Sequence, residues 1–278
     1  MNRKTLLSLL VALLTLLLSS CIPSGYNPER TGEDKTYTTT IDMNYTYKTN
    51  VAESDVATGL DPAYLFLANK SHPMGIAYGP DETVTLTCPT NGGKTVELEA
   101  RTARALYAML GEMRADGVTD IYVTSGYRNY GYQEMLFRNY LNAERSTISD
   151  EARAYFGNDY IHEKYVSQGK TGLSAADAEA VVLSYSARPG TSEHQTGLCV
   201  DFVTSKAGLT TAFENTDAFR WLAANAYRFG FILRYPADKV DVTKYSYEPW
   251  HYRFVGREAA TEIALRNLTL EEFLGETG

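Results

Sequence analysis

Cysteine is scarce in this 278-residue chain: three residues, at positions 21, 88 and 199. That excludes a disulfide-stapled miniature scaffold, which needs several bridges in place of a core. Histidine is also rare. The four present are His72, His162, His194 and His251, so any imidazole chemistry must be built from these. Positive charge is in deficit, with 26 Lys and Arg against 34 Asp and Glu and a net charge of −8. A nucleic-acid partner is excluded on that ground, because phosphates require a basic surface. The apolar run from Leu6 to Leu18 falls short of the roughly 20 residues that a membrane-spanning helix needs. No internal repeat and no nucleotide-binding motif occurs. What is present is an ordinary globular composition, 44% hydrophobic and 22% charged, long enough for one or two domains with a real core. Tyrosine, at 21 residues, suits a peptide- or sugar-binding cleft as well as strand and core packing.

Arg3 and Lys4 precede the Leu6–Leu18 run, and Leu18-Ser19-Ser20-Cys21 follows it. A charged start, a short apolar stretch and small residues before a cleavage point mark a secretory signal over residues 1–20. The cysteine directly after Leu-Ser-Ser is similar to a bacterial lipobox, which implies that Cys21 becomes a lipidated N-terminus. An uncleaved anchor is the alternative, and either arrangement places the remainder outside the cytoplasm. Removing the signal takes away two positive charges and makes the chain more acidic. Residues 21–60, rich in Tyr, Thr, Asn, Asp and Ser, read as a lipid-anchored flexible tether. Within it, Tyr37 to Tyr47 alternates enough to lie as an edge strand. Cys88 and Cys199 could form one disulfide, but their settings favour free, buried thiols.

The texture changes near Asp61, and 61–278 reads as the folded domain. Strands are expected at Tyr64–Lys70, Val84–Leu86, Ile121–Thr124, Leu198–Val203, Phe231–Tyr235 and Trp250–Val255. Helical spacing of Val96, Ala100, Ala103, Leu106, Leu110 and Met113 predicts a helix over Val96–Arg114, stopped by Gly117. Further helices are expected at Gln133–Ala143, in two pieces over 147–187 with a cap at Ser174, at Asp217–Phe229 and at Arg257–Asn267. Strands and helices mix without regular alternation, which indicates an α+β fold.

Two histidines sit in dense segments: Ser192-Glu193-His194-Gln195-Thr196-Gly197-Leu198-Cys199-Val200-Asp201, and Glu248-Pro249-Trp250-His251-Tyr252-Arg253. Two His and one Asp supply three donors for zinc and leave one position open for water. A loop-then-strand arrangement can bring His194 and Asp201 to one ion, with His251 arriving from a neighbouring strand. Glu248 is a candidate base beside such an ion. Residues three apart on a regular strand face opposite ways, so Glu248 must lie in a turn before the strand. By spacing alone, structural histidines remain an equal alternative.

Taken together, Asn69-Lys70, Ser125-Gly126-Tyr127-Arg128, Gln133 and the two dense segments resemble the VanY-type D-alanyl-D-alanine carboxypeptidases of bacterial cell walls and their L,D-carboxypeptidase relatives. The likeness runs from about Leu60 to Leu268. It implies the hedgehog/D-Ala-D-Ala-peptidase-like fold, a small antiparallel sheet with surrounding helices. It implies one zinc ion per chain on His194, Asp201 and His251, with Glu248 as catalytic carboxylate. It also implies that Arg128 stabilises the oxyanion or holds substrate, and that Ser192 and Gln133 line the pocket for the terminal D-alanine. The expected activity is hydrolytic removal of the C-terminal D-alanine from peptidoglycan stem peptides. D,D specificity is favoured, with L,D action on tetrapeptide stems as the alternative. The protein is then expected to be a monomeric, membrane-anchored bacterial lipoprotein acting outside the cytoplasm. A non-catalytic, zinc-containing wall-binding lipoprotein is a rival from another class. A cysteine peptidase pairing Cys199 with His194 is a weaker one, because Cys199 lies in an apolar strand.

Overall fold

In Cys199-Val200-Asp201-Phe202-Val203, residues of opposite character alternate, and the backbone separates them. The computed structural model describes residues 45–276 and places this segment as a strand. Val200 and Phe202 face the main core, beside Val123, Phe231, Tyr252 and Phe254. The strands are β1 (Thr83–Thr85), β2 (Glu97–Glu99), β3 (Tyr122–Ser125), β4 (Cys199–Val203), β5 (Phe231–Leu233) and β6 (His251–Phe254). β1 pairs with β2, and the larger sheet runs β3-β4-β6-β5, antiparallel throughout. The register sets Asp201 opposite His251 and Cys199 opposite Arg253. Since side chains alternate along a strand, these four share the face away from the core.

The chain divides into two compact units. The smaller comprises residues 142–181, with helices Asp150–Phe156 and Asn158–Lys164. Ser149 caps the first by accepting from Ala152 N at 2.9 Å, and donates to Glu144. Asp177 gathers the hydroxyls of Tyr160 and Tyr165 together with the Lys164 ammonium. The larger unit takes the remaining described residues and holds both sheets. Its longest wholly internal helix, Ala100–Ala115, buries Ala103, Leu106, Met109, Leu110 and Met113 against the main sheet's core face. Mixed helices around small antiparallel sheets match the α+β expectation.

Several segments differ from the sequence reading, and the region 147–187, expected as two helical pieces, carries three α-helices, Asp150–Phe156, Asn158–Lys164 and Ala175–Tyr185. The helix expected from Val96 begins at Ala100, because residues 97–99 pair with β1. The Glu99 carboxylate then caps the helix, accepting from Arg101 N and Thr102 N at 2.9 and 2.8 Å. Tyr64–Lys70, expected as a strand entering a turn, is irregular chain that ends in the turn, with a single bridge from Asn69 to His72. Asn69 Oδ1 accepts from Ser71 N and His72 N, an Asx turn. The Arg253 guanidinium takes the carbonyls of Tyr64 and Phe66. Phe231–Tyr235 forms a strand only through Leu233.

The leader, Cys21 and residues 22–44 lie outside the described residues. From Tyr45 onward the stretch expected as tether is packed. Buried Glu112 accepts from Tyr45 OH, Lys48 N, Thr49 N and Thr49 Oγ1 at 2.6–2.9 Å. Tyr47 packs against Phe229 with the rings tilted and their centroids 5.4 Å apart, and Val56 is fully buried. A free tether therefore does not reach residue 60.

Burial would raise the Glu112 pKa, but the hydrogen bonds from Thr49, Lys48 and Tyr45 hold it below its ordinary 4.5. A depressed carboxylate contributes stability that is complete above its unfolded value and lost as pH falls through its folded value. Acidification below pH 4.5 is thus expected to release residues 45–49, read as faster hydrogen exchange at Lys48 and Thr49. Glu112→Gln should remove that pH step and lower the melting temperature by about 2–4 °C at neutral pH. A pH step that persists in Glu112→Gln would assign it to another group.

Candidate active site

His194 rides on a single 3-10 turn, Glu193–Thr196, that leads into β4. Gly197 ends the turn at φ 70°, a conformation L side chains rarely adopt. Its missing side chain also lets the backbone approach Glu99, whose N–H donates to Gly197 O at 3.0 Å. His194 Nδ1 lies 2.6 Å from Gly126 O, which makes it the donor nitrogen and turns Nε2 inward. Nε2 is 3.1 Å from Asp201 Oδ2. Gly126 is itself wedged against β2: a Cβ there would meet Val96 Cγ1 at 2.8 Å and Glu97 O closer still.

Across the β4–β6 pair, His251 Nδ1 is 2.9 Å from Asp201 Oδ1 and 3.7 Å from Glu248 Oε2. The two imidazoles meet edge to face, centroids 5.1 Å apart. Glu248 sits in a turn before β6, closed by His251 N donating to Glu248 O at 3.1 Å. That turn supplies the geometry required for both groups to face one point. Asp201 Oδ1 is buried and, although His251 Nδ1 lies 2.9 Å away, makes no hydrogen bond of good geometry. Two imidazole nitrogens and a carboxylate oxygen, buried and convergent, form a donor set that fits a zinc ion. The Cys199 thiol reaches the same place: its sulfur and one nitrogen from each histidine lie within 4.8 Å of one another. Both Cys199 and Cys88 are free.

The electrostatics are strongly perturbed. Burial pushes Glu248 up to about 7, and Asp201 adds to it, against the pull of His251, His194 and Arg128. Burial and Arg128 push His194 down, yet Cys199 and Asp201 outweigh them and raise it to about 9. Burial raises Cys199, but the two histidines bring it down to about 7. Asp201 is held well below the carboxylate range by the two histidines, in spite of its burial.

Arg128 approaches from β3's end. Its N–H donates to His194 O at 3.0 Å and its guanidinium to Ser125 Oγ at 3.2 Å, leaving Nε buried without a partner. Ser192 is buried at the head of the His194 turn. Gln133 is placed differently from a simple pocket wall. Its Nε2 donates to Ala187 O at 2.8 Å and so fixes that loop, while Oε1 has no hydrogen-bond partner.

Sequence reasoning missed the layer behind the histidines. Glu193, Arg234 and Arg253 are fully buried, and Glu193 Oε1 lies 2.8 Å from both guanidinium groups. Glu271 closes on Arg234 with two bonds of 2.8 and 2.6 Å. The one available signal was an arginine directly after the apolar Phe231-Ile232-Leu233, since a charge in a buried run needs a partner. Lys70 was also unassigned. Its ammonium caps the carbonyls of Leu183 and Lys244, lies 4.2 Å from the Tyr245 ring centre, and is pushed down to about 8 by burial.

Residues 95–257 match the family model described as VanY, D-alanyl-D-alanine carboxypeptidase. A D-alanyl-D-alanine carboxypeptidase of Enterococcus faecalis is 37% identical over 210 residues, 76% of this chain and 65% of that protein. A Bacillus subtilis relative is 33% identical over 75% of this chain and 66% of its own length. The chain therefore spans just under two thirds of these relatives. Among solved structures, the LdcB LD-carboxypeptidase is similar at TM-score 0.60 and 31% identity, over 78% of this chain and 88% of that one. A vancomycin-resistance D,D-pentapeptidase VanY in complex with Zn(II) is similar at TM-score 0.57 and 34% identity, over 76% and 99%.

Gly126→Ala is expected to push the 125–128 turn off β2 and weaken the His194 Nδ1 contact. The cost should be about 1–3 kcal/mol, measured by urea unfolding. A variant as stable as the parent would mean that β2 yields freely there.

Proposed function

Because the chain belongs to the VanY family of D-alanyl-D-alanine carboxypeptidases, we propose that it is a zinc-dependent carboxypeptidase that removes the terminal D-alanine from peptidoglycan stem peptides. The observation that supports this reading is that buried His194 and His251 both approach Asp201, at 3.1 and 2.9 Å, with Glu248 3.7 Å from His251. His194 Nε2, Asp201 and His251 Nδ1 would hold a single ion. When bound, zinc supplies an acidified water and polarises the scissile carbonyl.

The protein's own groups then do the proton work. Glu248, raised to about 7 by burial, is matched to taking a proton from water near neutral pH and returning it to the departing amine. One water is consumed, the last C–N bond breaks, and free D-alanine leaves with a new carboxylate behind it. The Arg128 guanidinium is assigned to either the negative charge gathering on the carbonyl oxygen or the substrate's terminal carboxylate. Ser192 and the free Oε1 of Gln133 are the groups assigned to the terminal residue.

D,D specificity is favoured by the family model and by the E. faecalis relative. Likeness to an LD-carboxypeptidase supports the L,D reading. The chain is further assigned as a monomer held to the outer face of a bacterial membrane through Cys21.

Incubating the protein with zinc and two synthetic stem peptides, one ending in D-Ala-D-Ala and one in a single D-Ala, separates these readings. Chelator-sensitive loss of one alanine, detected by mass, is expected from the first. Faster loss from the second would assign L,D activity. Glu248→Gln is expected to keep zinc and lose at least about 100-fold in kcat, the contribution typical of a positioned base. Full activity in Glu248→Gln would remove that residue from the mechanism. Zinc binding with no cleavage of either peptide would favour a wall-binding lipoprotein. For the anchor, Cys21→Ala is expected to shift the protein from the membrane fraction to the soluble fraction. Unchanged fractionation would refute lipidation at that residue.

A further inference from the structure

His251 presents Nδ1 to Asp201 and Glu248, so its other nitrogen must be accounted for separately. That atom, Nε2, is buried and has no hydrogen bond, and so is Glu193 Oε2. The two face one another at 3.5 Å. The other Glu193 oxygen is fixed at 2.8 Å by both Arg234 and Arg253. Arg234 is in turn gripped by Glu271, which also accepts from Asn69 Nδ2 at 3.2 Å. Arg253 spends its remaining donors on the carbonyls of Tyr64, Phe66 and Phe254. Every member of this chain of charges is buried. Replacing a charged member should therefore leave its partner uncompensated.

We propose that Glu193 is a positioning residue: it receives the Nε2–H of His251 and so commits that imidazole to present Nδ1 to the metal position. This rests on the reading of His251 as a ligand. A histidine ligand generally donates its second N–H to a carboxylate or carbonyl, which fixes both tautomer and ring orientation. His194 has the carbonyl version through Gly126, and Glu193 supplies the carboxylate version for His251. The two arginines hold Glu193 at a fixed distance, and Glu271 in the helix Leu270–Leu274 braces Arg234. The C-terminal helix thereby belongs to the support of the metal site.

The test compares Glu193→Gln with Glu271→Gln in the full chain. Zinc affinity is read by competition with a chromophoric chelator, and the melting temperature is read without metal. Both variants unbalance Arg234, so both are expected to lose thermal stability. Only Glu193→Gln should lose about 10–100-fold in zinc affinity, and Glu193→Asp should recover part of it. Equal affinity losses in the two glutamine variants, or none in Glu193→Gln, would overturn the proposal. Parent protein that binds no zinc would remove the metal reading first and this inference with it.

A second measurement does not depend on the variants folding. In zinc-loaded parent protein labelled with 15N-histidine, His251 should show a proton on Nε2 and a metal-shifted Nδ1. The reverse assignment would refute the role of Glu193 directly.

Discussion

The pairing of β4 with β6 in one register is the constraint on which the rest depends. Asp201 lies opposite His251, and Cys199 opposite Arg253. On the reverse face, Val200, Phe202, Tyr252 and Phe254 are packed into the core. Side chains alternate with period two, so a slip of one residue would carry the whole polar set into the hydrophobic core. The apolar face thus specifies the polar one. Site geometry is set by burial of hydrocarbon rather than by attraction among the site's own charges, which mostly cost energy to bury.

Those charges still have to be balanced. Glu193, Asp201, Glu248 and Glu271 are buried carboxylates, facing Arg234, Arg253 and the half-buried Arg128. Cys199 and Asp201 raise both His194 and His251 above their ordinary values in spite of burial. Metal binding and proton release are coupled wherever ligands must be deprotonated. Arg234 and Arg253 differ from the histidines in that their charge is permanent, which suits them to holding Glu193 in either state.

Much of the site was legible because it is local. The segments Ser192–Asp201 and Glu248–Arg253 each carry their donors within ten residues, and the mixed strand and helix pattern indicated an α+β fold. Glu248 and His251 required a turn between them, and the turn is present. The brace was not legible in the same way. Arg234 and Glu271 stand 41 and 78 positions from Glu193, and only the fold brings them together. Val96–Glu99 kept helical spacing while being recruited as a strand, because the partner strand decides that question from outside the segment. Residues 45–58 were polar enough to read as tether. Their docking uses partners far along the chain: Glu112 for residues 45–49, Arg257 for Glu53, and the main core for Val56.

The molecule separates two kinds of determinant. The metal-site candidates and Glu248 stand on the main sheet and the turns entering it, locked by core packing and buried ion pairs. Gln133, assigned in the proposed reading to the substrate's last residue, belongs to another support, a helix that holds the Ala187 loop, whereas Ser192 heads the His194 turn itself. A scaffold divided in this way can keep one hydrolytic centre while the pocket for the terminal residue varies. Similarity to both a D,D-pentapeptidase and an LD-carboxypeptidase is what that division leads one to find. On the proposed reading, specificity should therefore be sought in the Ala187 loop, where binding groups can change without dismantling the main sheet.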